Sequence, residues 1–394
     1  MLRVLTLASL FPDASRPNLG VFVERQTLGL AARPDVDLRI VSPVGLPPWP
    51  LHRIGRYAAL ADLPDDEDWK GVPIQRPRFL NLLGTGGRLH AAAIVHVLKP
   101  LLTAMRRDFP FDVIDAEFFF PDGPAAVALG EYFGVPVSIK ARGADIHHWG
   151  RAGPTAASVL RAGRAADGLL AVSEALRDDM IALGMPADRI AVHRTGVDGN
   201  RFAPRDRAAE KARLGVSGAL VLSVGALIPR KGHDIVIDAV ARLPGTTLLI
   251  AGEGPERPAL EARIAAAGLE GTVRLLGSVP HADLPALFAA ADVMALASVS
   301  EGLANAWVEA LSSGTPVVIT SAGGARETID RPAAGRVVDR TPAAFAEGIA
   351  ELLMAPPAPP DVRAAAARFS WEANTAQLHA HLSGLVARRR CGGR

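Results

Sequence analysis

Two glutamates eight positions apart, Glu301 and Glu309, lie in the segment Ser298-Val299-Ser300-Glu301-Gly302-Leu303-Ala304-Asn305-Ala306-Trp307-Val308-Glu309. On one helix they would be separated by roughly 12 Å along the axis. Carboxyl pairs that hydrolyse glycosidic bonds sit about 5–9.5 Å apart, so this spacing argues against hydrolysis. It suits an extended ligand with hydroxyls at both ends and charge between, such as a nucleotide sugar. The segment follows an apolar strand and is expected to open a helix. Its first turn would then offer the backbone N–H groups of Gly302, Leu303, Ala304 and Asn305 to phosphate oxygens. A second segment, Ser223–His233, places the adjacent cations Arg230 and Lys231 on a strand-to-helix loop, where they match a pyrophosphate.

Other segments carry weaker signals. Gly252-Glu253-Gly254 follows a strand and could be half of a dinucleotide-binding G-x-G-x-x-G. Arg257 occupies the third glycine position, and its bulk would hinder close helix–strand packing. Lys140–His148 ends another strand and offers Asp145 and His147 to a reacting group, with helix capping as the plain alternative. Asp145, His147 and His148 lack the further ligands and spacing of a metal site, and there is no D-x-D motif, so neither metal nor cofactor is expected. Gly20, after the first strand, and the loop Phe120-Pro121-Asp122-Gly123 could each approach a ligand. The basic stretch from Gly87 to Arg107 could touch an anionic membrane or lipid-linked acceptor, or be a solvated helix with core leucines.

Positioning these groups falls to a series of short, near-continuously apolar runs, each followed by an alanine-rich helical pattern. The first series is 3–10, 38–44, 112–117, 135–141, 168–173 and 190–197; the second is 220–227, 247–252, 273–277, 293–297, 316–321 and 335–339. Runs of this kind fit strands buried on both faces, and the strand–helix alternation is the βαβ pattern. The expected fold class is α/β, with two Rossmann-like, doubly wound parallel-sheet domains facing across a cleft that holds the ligand. The first domain should span 1–198 and the second 199–367, with a terminal helix at 371–386 returning to the first.

The 394 residues exceed what one core usually supports, and 49% hydrophobic with 21% charged residues suits a globular protein. A net charge of +2 gives no reason to expect nucleic acid as a partner. The lone cysteine, Cys391, excludes an internal disulfide. The N-terminus runs straight into a strand pattern and no run reaches the ~18 apolar residues of a membrane span. The expected location is cytoplasmic, with possible peripheral membrane contact.

These motifs resemble glycosyltransferase family 4, the retaining enzymes of GT-B fold, over nearly the whole chain and most densely from Leu220 to Glu327. The family's E-x7-E motif stands as Glu301 to Glu309. The resemblance implies that Glu301 meets the donor sugar and Glu309 the ribose. Its K-G pair stands as Lys231-Gly232, implying that Lys231 binds donor phosphates. The arginine that usually follows the glycine of its V-G-R-L segment is Ala226 here, and Arg230 is the candidate replacement. Ala251–Pro255, with Glu253, resembles the stretch beside the base, and Gly323-Gly324 to Glu327 resembles a further family loop. Relatives place a histidine or aspartate near Asp145 and His147, close to the reacting sugar. The resemblance implies metal-independent transfer from a nucleotide sugar to a glycan, lipid-linked or small-molecule acceptor, in polysaccharide or glycoconjugate synthesis. A non-catalytic nucleotide-sugar-binding subunit and a GT-B epimerase or phosphorylase are the alternatives.

Overall fold

All twelve apolar runs form strands in the computed structural model, which describes residues 1–392. Most strands are shorter than their runs, because the last residues of each run curl into the loop that follows. The chain divides into two units.

In the first unit the strands are β1 (Leu2–Leu7), β2 (Val36–Val41), β3 (Val44–Leu46), β4 (Asp66–Trp69), β5 (Val72–Gln75), β6 (Arg78–Leu80), β7 (Val113–Ala116), β8 (Val137–Ala141), β9 (Gly168–Ala171) and β10 (Ile190–Val192). Eight form one sheet in the order β10-β9-β8-β7-β1-β2-β5-β4, parallel except for the β4–β5 pair. β3 and β6 form a separate parallel pair. The order reverses direction between β1 and β7, which is the switch point of a doubly wound sheet. In the second unit the strands are β11 (Ala219–Val224), β12 (Thr246–Ala251), β13 (Val273–Gly277), β14 (Val293–Leu296), β15 (Val317–Ile319) and β16 (Gly335–Val337). Their order is β13-β12-β11-β14-β15-β16, parallel throughout, with the switch between β11 and β14.

The terminal helix, Trp371–Gly392, belongs to the first unit. Leu378, Leu382 and Leu385 recur at the helical spacing of four and three, and all three are buried with Val4, Ile40 and Val113. At its start, the buried Asn374 donates through Nδ2 to the Arg194 carbonyl at 2.7 Å, and its own carbonyl accepts from His193 Nε2 at 2.8 Å. The second unit is Thr195–Ser370, so the division falls before residue 198. The reason is local: the Val197 N–H donates to the Phe369 carbonyl at 2.8 Å, so the outgoing and returning chains already run side by side there.

Between the runs 38–44 and 112–117 the chain also forms most of β3 and all of β4, β5 and β6, which no apolar run announces. These strands are three or four residues long, and β4 is Asp-Glu-Asp-Trp, which carries no apolar run. The β4–β5 hairpin turns on Lys70 and Gly71, both at positive φ, as a two-residue hairpin turn requires.

Candidate active site

In the second unit, β11 and β14 are neighbours, and the loops leaving their carboxyl ends carry the two strongest motifs. The Val299 N–H donates to the Arg230 carbonyl at 2.8 Å, which ties the loops together. Gly232 has φ +66, and a side-chain carbon there would lie 2.3 Å from the Ala297 carbonyl oxygen. Only glycine permits that approach, and it brings Lys231 beside β14. Lys231 Nζ then donates to Glu301 Oε1 at 2.5 Å, and Ser298 Oγ donates to the same oxygen at 2.7 Å. Arg230 Nη1 lies 3.5 Å from Glu301 Oε2 and donates to the Ser300 carbonyl. The Glu301 side chain is 8% exposed, Lys231 14% and Arg230 37%. Two cations thus meet one buried carboxylate, leaving the cluster positive by one charge.

Further residues hold this cluster. Arg340 donates from Nε to the Ala297 carbonyl at 2.8 Å and from Nη2 to the Pro229 carbonyl at 3.2 Å, bracing both loops. His233, next along the chain from Gly232, is buried, and its Nδ1 meets Ser223 Oγ at 3.0 Å. Burial pulls its pKa down to about 4, so it is neutral at physiological pH. Gly323 folds over the carbonyl of Glu301, where an added side-chain carbon would lie 2.1 Å away, and the Gly324 N–H donates to the Gly302 carbonyl at 2.8 Å.

The helix after β14 starts later than its motif implied. It spans Asn305–Ser312, with Ala304 in extended conformation as its N-cap. Glu301 therefore lies in the loop before the helix and Glu309 on the helix, so helical rise does not set their separation. Gly302, Leu303 and Ala304 are buried residues of that loop, and the first helical N–H groups belong to Asn305, Ala306 and Trp307. Glu309 Oε1 meets His281 Nε2 at 2.8 Å, and the His281 ring packs edge-on to Phe202 at 5.4 Å. Glu253 is exposed; its Oε1 accepts from the Ser278 N–H at 3.3 Å, and its carbonyl accepts from Leu227 N–H at 2.8 Å, so its loop leans on the β11 loop.

The first unit gathers a buried polar network at its own switch point. Lys140 Nζ donates to Gln26 Oε1 and to His193 Nδ1, the latter at 2.8 Å. Gln26 Nε2 and Arg142 Nη2 both donate to the Glu117 carboxylate. Burial, aided by Arg142, holds the Lys140 pKa well below the ordinary lysine value. Asp122 is fully buried and accepts from the Ser9 N–H at 2.8 Å; burial raises its pKa to about 7. These residues come from separate elements; the Asp122 loop and the segment holding Lys140 and Arg142 stand out in sequence, but their partners do not.

Two families of sequence match this architecture in succession. Residues 59–201 match the model of Glycosyltransferase Family 4, and residues 204–369 match that of Glycosyl transferases group 1. The chain belongs to glycosyltransferase family 4. This family 4 glycosyltransferase is 27% identical over 333 residues to TuaC of Bacillus subtilis (strain 168), named for teichuronic acid biosynthesis, covering 82% of each chain. It is 38% identical over 210 residues to the D-inositol 3-phosphate glycosyltransferase of Mycobacterium tuberculosis, spanning 50% of this chain and 44% of that one. Among solved structures, sucrose-phosphate synthase from Thermosynechococcus elongatus has TM-score 0.80 at 20% identity over 98% of this chain and all of that one. Anabaena HepE in complex with UDP has TM-score 0.75 at 21% identity over the same shares. The shared fold is GT-B.

In this family 4 glycosyltransferase the expected site residues separate into groups. Arg230, Lys231 and Glu301 meet directly. Gly302, Leu303, Ala304 and Asn305 adjoin them, and Glu309 stands on the helix beyond. The first-unit expectations are corrected in one respect. Asp145 does not face a ligand: it is fully buried, and its carboxylate accepts from the backbone N–H groups of Phe119, Arg142, Gly143 and Ile146 at 2.8–3.2 Å. It holds the loop after β8 in shape. Burial raises its pKa, and those N–H donors oppose the rise. His147 is half-buried, and its Nε2 meets Asp179 Oδ2 at 2.8 Å. Gly20 is buried against Leu10 as the N-cap of the helix Val21–Ala31.

Proposed function

We propose that this glycosyltransferase moves a sugar from a nucleotide-sugar donor to a hydroxyl of a glycan, lipid-linked or small-molecule acceptor, with retention at the anomeric carbon and without a metal. The observation that carries this reading is the Lys231–Glu301–Arg230 cluster at the β11/β14 switch point. Negative charge grows on the departing nucleoside diphosphate as the glycosidic bond breaks. Fixed cations and oriented N–H groups stabilise such charge without reorganising. Arg230, Lys231 and the start of the helix Asn305–Ser312 supply them. Lys231 has three N–H donors, so it can keep Glu301 and still bind a phosphate oxygen.

Glu301 orients the donor sugar through its hydroxyls, and Glu309 takes the ribose hydroxyls. No carboxylate other than Glu301 lies in the cluster, and Glu301 is held by Lys231 and Ser298. Attack on the face from which the diphosphate leaves, with the leaving phosphate accepting the acceptor's proton, therefore fits the site better than a covalent glycosyl-enzyme. The UDP and UDP-glucose complexes of the HepE structures support a nucleotide-sugar donor for this chain. A role in polysaccharide or glycoconjugate synthesis follows the naming of TuaC.

The test is release of nucleoside diphosphate and transfer of labelled sugar by purified protein. Glu301→Gln and Lys231→Ala should each lower turnover about 10²–10³-fold, the usual cost of removing a stabilising group in a dry site. Circular dichroism and melting temperature should hold. Wild-type turnover in either folded variant would overturn the reading.

A further inference from the structure

The Glu309 carboxylate has a partner from the far edge of its own sheet. β13 is the outermost strand, with β12 and β11 between it and β14, yet the loop leaving its carboxyl end carries His281 to the helix Asn305–Ser312. The Asp283 N–H donates to the Pro280 carbonyl at 2.9 Å, which closes a turn around His281. His281 Nε2 lies 2.8 Å from Glu309 Oε1, and among the described residues His281 is the side chain that meets this carboxylate. A carboxylate only accepts, so the hydrogen of this bond is carried on Nε2. Side-chain exposure is 21% for His281 and 13% for Glu309, and withdrawal from water strengthens such a bond.

The histidine is itself held. Its ring stands edge-on to Phe202, with centroids 5.4 Å and planes 65° apart. Phe202 is fully buried and packs on its other side against Phe288, at 6.0 Å. The Phe202 N–H donates to the Asp198 carbonyl at 2.8 Å, and the Phe202 carbonyl accepts from Ser312 Oγ at 2.6 Å. Ser312 is the last residue of the helix that carries Glu309. The contacts therefore close on themselves, from Glu309 to His281, to Phe202, to Ser312 and back along one helix. Three segments distant in sequence converge on one carboxylate. An unrestrained glutamate turns about three torsions, and the last of them, which sets the plane of the carboxylate, is broad. Here one oxygen is committed to a ring that cannot move, so the plane is set and the remaining lone pairs have fixed directions. Two hydroxyls on adjacent ring carbons, each donating to the same carboxylate, need that fixed plane.

We infer that His281 is a positioning residue: it fixes the plane of the Glu309 carboxylate for the vicinal hydroxyls of the donor's ribose, and so sets the preference for a ribonucleotide over a deoxyribonucleotide. This role rests on the reading above that Glu309 takes those hydroxyls. The test is calorimetric titration of the full chain with whichever of UDP, GDP and ADP binds most tightly, and with its 2′,3′-dideoxy counterpart. His281→Phe keeps a ring against Phe202 and removes the donor. It should weaken the ribonucleotide about tenfold, the effect of one hydrogen bond to a charged group, and the dideoxy nucleotide less than about twofold. His281→Gln, whose amide N–H reaches as far as Nε2, should recover most of the loss. In the transfer assay the loss should fall on the donor KM rather than on kcat. Glu309→Gln is the reference, and should itself narrow the gap between ribonucleotide and dideoxy nucleotide. If it does so while His281→Phe weakens both nucleotides alike, or neither, the histidine only packs and its positioning role is overturned. If Glu309→Gln leaves the gap as in wild type, or none of the three nucleotides binds wild type, the ribose reading of Glu309 fails and the role of His281 fails with it.

Discussion

Among single residues, Asp122 couples its ionisation directly to folding. Its carboxyl is fully buried, with Oδ2 on the Ser9 N–H and Oδ1 without a partner, and its pKa stands at about 7 against an ordinary 3.8. Below about pH 4 it is protonated in the folded and the unfolded chain alike. Between there and about 7 the unfolded chain ionises and the folded chain does not, so stability is lost as pH rises through that window. A shift of this size is worth up to about 4 kcal/mol. Asp122→Asn keeps an acceptor for Ser9 and cannot ionise. Its melting temperature relative to wild type should therefore climb by several degrees between pH 4 and pH 8. Calorimetry across that range checks this, and a constant difference would mean that the carboxyl reaches water. Glu301, by contrast, keeps company with two cations and a hydroxyl. A buried carboxyl is thus met by a backbone N–H in one unit and by cations and a hydroxyl in the other.

Secondary elements place these residues through a few contacts each. The terminal helix is the clearest case. It leaves the second unit after Ser370 and buries Leu378, Leu382 and Leu385 in the first. It also fixes His193 through the Asn374 carbonyl, and His193 in turn accepts from Lys140. Truncating a buried leucine costs about 2–5 kcal/mol when the cavity cannot collapse. Leu382→Ala should lower amide protection along β1, β7 and β8 while leaving β11 to β16 unchanged in hydrogen exchange. Equal loss in both units would show that they open as one. Loops do the comparable work in the second unit, where Gly232 and Gly323 let two backbones pass within contact distance of the Glu301 loop. Side-chain chemistry there depends on glycines that contribute no chemistry.

Across the whole molecule, a ligand that binds only the folded state raises stability by about 2.7 kcal/mol at a hundred times its dissociation constant. We expect one of UDP, GDP or ADP to raise the melting temperature well above the others, to fail to do so with Lys231→Ala, and to do so less with Glu309→Gln. On the metal-independent reading proposed above, the shift and the transfer rate should both persist in excess EDTA. Loss of either with chelator would refute metal independence. Equal shifts with all three nucleotides would mean that the base is not read.

Much of this protein was legible in its sequence. Strands of parallel sheets covered on both faces must be apolar throughout, so the runs that became β1, β7, β11 and β14 could be read without coordinates. The strand order was not read, yet the motifs after β11 and β14 implied that the two loops share one ligand, and in the sheet those strands are adjacent. Local signals reached their limit where partners are distant in the chain. Asp145 in a strand-end loop looks the same in sequence whether it faces a ligand or binds four N–H groups, and only the folded loop separated the two. The Gln26–Glu117–Lys140–His193 network draws each member from a different element, so no spacing announces it. The helix starting at Asn305 rather than near Glu301 goes with the Gly323-Gly324 loop after the neighbouring strand β15, whose Gly324 N–H takes the Gly302 carbonyl. Periodicity and composition determine which segments are buried; which buried polar group meets which is decided by contacts that exist only once the sheet is assembled.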